Sequence, residues 1–298
     1  MKSLKVDIDD VIRKTSAMST ELQITKKGSI GFTRQYQSDE IGSETIEFFD
    51  FREYTPQDNP KTIDWKASLR SGKILTRQTI IERDVEIIFA MDCGDSMLYG
   101  SVDKLKIENA IELVAALSHM LLHSGVSVGL ILYSNEVKGF VKPNFGGHQF
   151  GDIRRTLITH QVFGGKTNIS SVMPMVNYIA KPESVVLFVS DFIKFDEIDR
   201  DLIKNISMKS KVGGIMVRDI TDVTLPKGGY VLFEDPAQKE NIIVNTHDIN
   251  EEYEKYTTNQ ENTVAKSFVG LNARLYKIYT NKNIVENIKN ILLKNASI

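Results

Sequence analysis

Three short polar segments hold the side chains best suited to chemistry: Asp92-Cys93-Gly94-Asp95-Ser96, Gly164-Gly165-Lys166-Thr167-Asn168 and Ser190-Asp191. The first and third follow apolar runs, Ile87 to Met91 and Val185 to Val189, that read as strands buried on both faces. Each aspartate then stands at the carboxyl end of a strand, the edge where open α/β sheets build their ligand sites. Three loops at one edge supply the two strand-end carboxylates, Asp92 and Asp191, with hydroxyls beside them. Hard oxygen donors in that number suit Mg2+ or Mn2+, with water or a partner's oxygen in the remaining positions. Helix capping accounts for a single aspartate at a strand end; three polar loops together point to a site.

Several enzyme templates fail on particular residues. Gly165-Lys166-Thr167 resembles the end of a phosphate-binding loop, but that pattern needs glycine at position 160, where His160 stands. A phosphotransfer Asp-x-Asp pair would need a carboxylate at Gly94. Cys93 has no activating histidine marked in the sequence, so no catalytic nucleophile is assigned. His119 and His123 lie four apart, as zinc-binding pairs do, but share a helix stripe with Glu108, Glu112 and Ala116 that reads as a solvated face.

The elements that must position the three loops can be read in order. Val6 to Leu22 has a modest helical period, and Leu22 to Glu47 reads as irregular hairpins. Two prolines, Pro56 and Pro60, with Asp58-Asn59 between them make a rigid turn. Ile63 to Leu69 reads as a helical turn and Lys73 to Glu82 as a strand. Asp103 to His123 is the longest clear helix, stopped by Gly125. Strands at 126–133, 136–141, 184–191 and 212–217 alternate with helices at 149–160, 168–180 and 196–210. That alternation predicts a doubly wound, mostly parallel sheet. Gly229 to Phe233 and Asn241 to Asn245, joined through Asp235-Pro236, read as an inserted hairpin. A helix, a strand (275–279) and a final helix (283–294) close the chain. The expected division is a β-rich segment at 1–83 and the sheet domain at 84–298. Trp65 and Tyr54, large aromatics in a polar stretch, are expected to dock the segment onto the sheet domain.

The 298 residues carry 37 Lys and Arg against 39 Asp and Glu, a formal net charge of -2. That balance makes no electrostatic case for nucleic acid or an anionic membrane. A single cysteine rules out an internal disulfide and fits a reducing compartment. With no signal-like amino terminus and no apolar run near the ~18–20 residues of a membrane span, the chain is expected to be cytoplasmic.

The three loops resemble the metal-ion-dependent adhesion site of von Willebrand factor A-type domains, Asp-x-Ser-x-Ser with a loop Thr and a later Asp. The stretch from Arg52 to Ser68, with Tyr54-Thr55-Pro56 and Asp64-Trp65-Lys66, resembles the signature of domain-of-unknown-function family 58. Glu82-Arg83-Asp84, Leu225-Pro226, Asp235-Pro236 and Tyr253 also match it. The resemblance implies a von Willebrand A-like α/β domain and assigns the metal pattern to Asp92, Ser96, Thr167 and Asp191. Gly94 stands where the family has a ligating serine, which implies weak binding of Mg2+ or Mn2+. The resemblance further implies a non-catalytic protein-binding module, an adaptor or co-chaperone for a MoxR-type AAA+ ATPase and a protein client. The alternative is a metal-dependent hydrolase using the same carboxylates.

Overall fold

The computed structural model describes residues 4–24, 36–38, 46–56, 60–81, 85–159, 162–226, 228–234, 241–271 and 273–293. Asp58-Asn59, Glu82-Arg83-Asp84, His160, Asp235-Pro236 and most of the expected 22–47 hairpins lie outside them. The chain forms two compact units: residues 25–84, and residues 1–24 together with 85–298. The first helix, α1 (Ile8–Ile24), therefore belongs to the sheet unit and not to the β-rich segment. Its apolar stripe is the reason, with Ile8 and Val11 both buried.

In the smaller unit, β1 (Tyr36–Ser38), β2 (Ile46–Glu53), α2 (Trp65–Ser71) and β3 (Leu75–Ile81) make an antiparallel sheet of order β1-β3-β2 with one short helix. Asp64 caps α2 by accepting from Ala67 N at 2.9 Å, and Gly72, at φ +72°, ends it. Trp65, expected to be an anchor, is 64% exposed, while Asp64 and Ser68, four apart, are the buried positions of this stretch.

The larger unit continues with β4 (Glu86–Asp92), α3 (Lys106–His123), β5 (Ser127–Tyr133), β6 (Val137–Asn144), α4 (Gly147–Leu157) and α5 (Met173–Ile179). There follow β7 (Val185–Ser190), α6 (Glu197–Ser207), β8 (Lys211–Arg218), the hairpin β9 (Tyr230–Glu234) and β10 (Asn241–Asn245), α7 (Thr246–Val269), β11 (Arg274–Tyr279) and α8 (Ile284–Leu293). Six strands form one sheet in the order β11-β8-β7-β4-β5-β6. All pairs are parallel except β5 with β6. The central strands are apolar on both faces and buried from Ile87 on in β4 and throughout β5 and β7, whereas β6 alternates toward solvent, as an edge strand should. From β4 the chain winds toward β6, then returns on the other side through β7, β8 and β11. The topological switch thus falls between the carboxyl ends of β4 and β7.

One layer of core joins Ile88, Ala90, Val186, Phe188 and Met216 of the sheet to Val176, Ile203, Val264 and Phe268 of α5, α6 and α7. Gly214 of β8 belongs to the same contact: a Cβ there would lie 2.6 Å from Leu275 and 2.8 Å from the Phe268 ring. The expected 168–180 helix is split into a 3-10 turn at Ile169–Ser171, capped by Asn168, and α5. Pro174 lacks an amide donor, so it is accommodated in the first turn of α5 and not inside a longer helix.

The polar stripe on α3 is not solvated. Glu108 and Glu112 are each 2% exposed, covered by the amino-terminal segment. Lys5 N and Leu105 N both donate to Glu108, and Lys104 pairs with Glu112 at 2.6 Å. His119 lies on the same stripe, with its ring 4.5 Å from His123 and 5.1 Å from Phe150. Among the described residues no helix is long and apolar enough to cross a membrane.

Candidate functional site

Asp92 ends β4 with its side chain fully buried, and all three polar loops meet on it. Its Oδ1 accepts from Gly94 N at 2.8 Å and from the Thr167 hydroxyl at 3.0 Å, and its Oδ2 from the Ser190 hydroxyl at 2.8 Å. Burial, and then the neighbouring Asp191 charge, push its carboxyl up to about 7 despite those bonds.

The middle loop is sewn to the first by its glycines. Gly164 and Gly165 sit at φ +112° and +96°, a region that favours glycine. That geometry lets Gly164 N donate to Cys93 O at 2.7 Å, Gly165 N to Asp95 Oδ1 at 2.9 Å, and Asp95 N to Gly165 O at 2.9 Å. Asp95 is therefore a clasp between loops, not a spare ligand. Cys93 is buried beneath it, its Sγ 3.1 Å from Tyr133 O and 3.2 Å from Val162 O. Burial, then the Asp92 charge, push its thiol up to about 12.

Gly94 has a steric reason that its sequence position did not disclose. A Cβ on it would stand 2.2 Å from Thr167 Oγ1 and 3.0 Å from Gly165 O. The threonine hydroxyl fills the space a serine side chain would need. Gly94→Ser is expected to push Thr167 off Asp92, cost about 1–3 kcal/mol as other overpacking does, and leave cation affinity no higher. Urea unfolding together with calorimetric Mg2+ titration reads both effects.

Asp191, just past β7, is held from three sides. Its Oδ2 accepts from Lys106 Nζ at 2.8 Å and its Oδ1 from Ile193 N at 3.1 Å, and the Ser96 side chain beside the same carboxylate favours its charged form. Lys106 opens α3, is 1% exposed, and also reaches Asp222 Oδ2 at 3.1 Å. Burial favours the neutral form of both groups. The ammonium nevertheless holds the Asp191 carboxyl below the ordinary carboxylate range, and the two carboxylates keep Lys106 above the ordinary lysine range. Asp222 closes a turn with Asp219, whose amide donates to it at 2.9 Å. Asp219 accepts from Ser101, Thr221 and Thr280. Burial works against its charge, but these bonds hold its carboxyl down to about 2.

Of the expected metal pattern, Ser96, Thr167 and Asp191 line one cleft together with Ser190 and Asp199, and Asp92 lies buried beneath it, bonded to Thr167 and Ser190. The cleft's free volume is about 20 Å³, room for one water or ion. Among the described residues no cluster of three His, Cys, Asp or Glu side chains forms a metal site, so a cation here must draw on hydroxyls. Those are present in usable form. Thr167 spends its proton on Asp92 and keeps its lone pairs, and the Ser96 hydroxyl stands beside Asp191 with lone pairs of its own. The set fits a hard cation, with Asp92 and Asp191 orienting the ligands from behind. It fits one weakly, because position 94 supplies no oxygen and Lys106 already balances Asp191.

Two residues escaped the sequence reading. Asp199 was hidden as the third residue of a capping box with Asp196, and burial pushes its carboxyl up to about 6. Lys106 did leave a signal: a cation in the first turn of a helix opposes the helix dipole, so it needs another reason to be there.

A doubly wound sheet with one antiparallel edge strand, carrying this aspartate–hydroxyl site over its switch point, is the von Willebrand factor A-like α/β fold. The chain belongs to the family described as protein of unknown function DUF58, whose profile matches residues 50–263. It is 23% identical to the uncharacterized protein Mb1516 of Mycobacterium bovis over 96% of this chain and 90% of that one. Among solved structures, the conserved hypothetical protein BatB from Bacteroides thetaiotaomicron is 15% identical, covering 72% of this chain and 100% of that one, with a TM-score of 0.46. A von Willebrand factor type A protein from Catenulispora acidiphila is 12% identical over 61% of this chain and 44% of that one, with a TM-score of 0.33. The fold assignment rests on the strand order and not on these scores.

Proposed function

We propose that the chain is a non-catalytic, cytoplasmic protein-binding module whose strand-end cleft takes an acidic side chain of a protein partner. The observation that carries this reading is the cleft itself: oriented hydroxyls over saturated carboxylates, with room for a single ion or water. Ile193 and Lys194 are exposed at its rim, an apolar contact beside a cation for a partner's carboxylate. Mg2+ or Mn2+, held weakly through Ser96 and Thr167, would be completed by that carboxylate. The family resemblance points to a MoxR-type AAA+ ATPase as the partner, with this chain as adaptor or co-chaperone toward a protein client.

A metal-dependent hydrolase is the second reading. The raised carboxyls of Asp92, about 7, and Asp199, about 6, favour it, since general acids and bases work in that range. Binding is favoured because Asp92, fully buried beneath Thr167 and Ser190, does not line the cleft and so does not reach a substrate there.

Calorimetric titration with a MoxR-type ATPase of the same organism, with and without Mg2+, tests the proposal. Wild type is expected to bind, with Thr167→Ala and Lys194→Glu each weakening the complex about tenfold or more. Unchanged binding by both variants would overturn it. Hydrolysis of a phosphoester or peptide substrate that disappears in Asp92→Asn protein would replace it with the enzyme reading.

A further inference from the structure

We propose that Lys106 is a counter-ion built into the strand-end site: its ammonium keeps the loops assembled without a divalent ion and sets the site's affinity for such an ion low. The inference rests on the cation reading above and adds to it the residue that controls ion binding.

The geometry is that of an internal cation and not of a surface lysine. Lys106 is 1% exposed, and its Nζ lies 2.8 Å from Asp191 Oδ2 and 3.1 Å from Asp222 Oδ2. The Tyr99 ring centroid, 5.7 Å away, offers its face to the same ammonium. Asp191 and Asp222 end separate strand-to-helix or strand-to-turn loops, so one ammonium ties the loops after β7 and β8 to the start of α3. Nothing about α3 itself asks for a cation at its first residue, where the dipole is adverse. A divalent ion entering through Ser96 and Thr167 therefore meets a positive charge already paired with Asp191, and the two repel and compete for that carboxylate.

The test uses the full chain and Mn2+, with free Mn2+ counted by electron paramagnetic resonance and thermal unfolding followed in parallel. Lys106→Gln removes the charge and is expected to bind Mn2+ about tenfold more tightly or better, whereas Lys106→Arg keeps the charge and stays at the wild-type affinity. Asp92→Asn added to Lys106→Gln should abolish the gain. If Lys106→Gln is unfolded without ion, Mn2+ is expected to restore a cooperative transition, since a ligand that binds only the folded state stabilises it. Failure of Mn2+ to do so, or a folded Lys106→Gln no tighter than a measurably binding wild type, overturns the role of Lys106 alone. Absence of Mn2+ binding by every folded variant, wild type included, overturns the cation reading as well.

Discussion

Lys106→Met is expected to lower the unfolding free energy by about 3–5 kcal/mol, the penalty typical of removing one partner from a buried ion pair. Methionine matches the length of the lysine stem, so little of the loss is packing. The loss arises because Asp191 and Asp222, both buried, keep their charges and lose the ammonium that balances them. Asp191 retains only Ile193 N and the Ser96 hydroxyl. A second substitution, Asp222→Asn, removes one of the two stranded charges and should return part of the stability. Urea unfolding at neutral pH measures all three proteins. A loss below about 1 kcal/mol for Lys106→Met would place the pair among those that contribute little, as exposed pairs do.

Asp219→Ala should cost about 3–4 kcal/mol, because five hydrogen bonds from Ser101, Thr221 and Thr280 converge on this buried carboxylate, and water replaces them only at the part-exposed Ser101 and Thr221. The bonds join the loop after β4, the turn after β8 and the residue following β11, so their loss loosens the whole carboxyl edge. The effect has a pH signature. The folded carboxyl sits at about 2 against 3.8 for an ordinary aspartate, so its stabilisation is complete above pH 4 and disappears as pH falls toward 2. Asp219→Asn, which cannot ionise, should lie well below wild type in stability at pH 7 and converge with it near pH 2. Unfolding curves at several pH values read the convergence; a gap independent of pH would exclude the charge as its source.

What the sequence disclosed about this fold was mostly local. Short apolar runs ending on Asp92 and Asp191 marked buried strands, and their alternation with helices implied the winding that puts both residues at one edge. The polar stripe of α3 misled because solvation and burial under another helix have the same period. What distinguishes them is Lys5 reaching Glu108 across the chain, a contact that no window of sequence contains. Gly94 read as a missing ligand; only the position of Thr167 Oγ1 shows that nothing larger fits. Lys106 stands at a helix start that disfavours a cation, which marks it as unusual, but its meaning comes from partners 85 and 116 residues away.

Cys93 gives this architecture a native clock. The sole thiol of the chain lies one residue beyond Asp92, fully buried, with its ionisation suppressed. Alkylating reagents consume thiolate, so they reach it only in molecules whose strand-end loops have momentarily come apart. The rate at which the folded protein takes up label therefore reports the openings that uncover Cys93, and its urea dependence separates local opening of the site from global unfolding. Any ligand that closes those loops, whether an ion, a carboxylate or a whole partner, announces itself as slower labelling without having to be identified first.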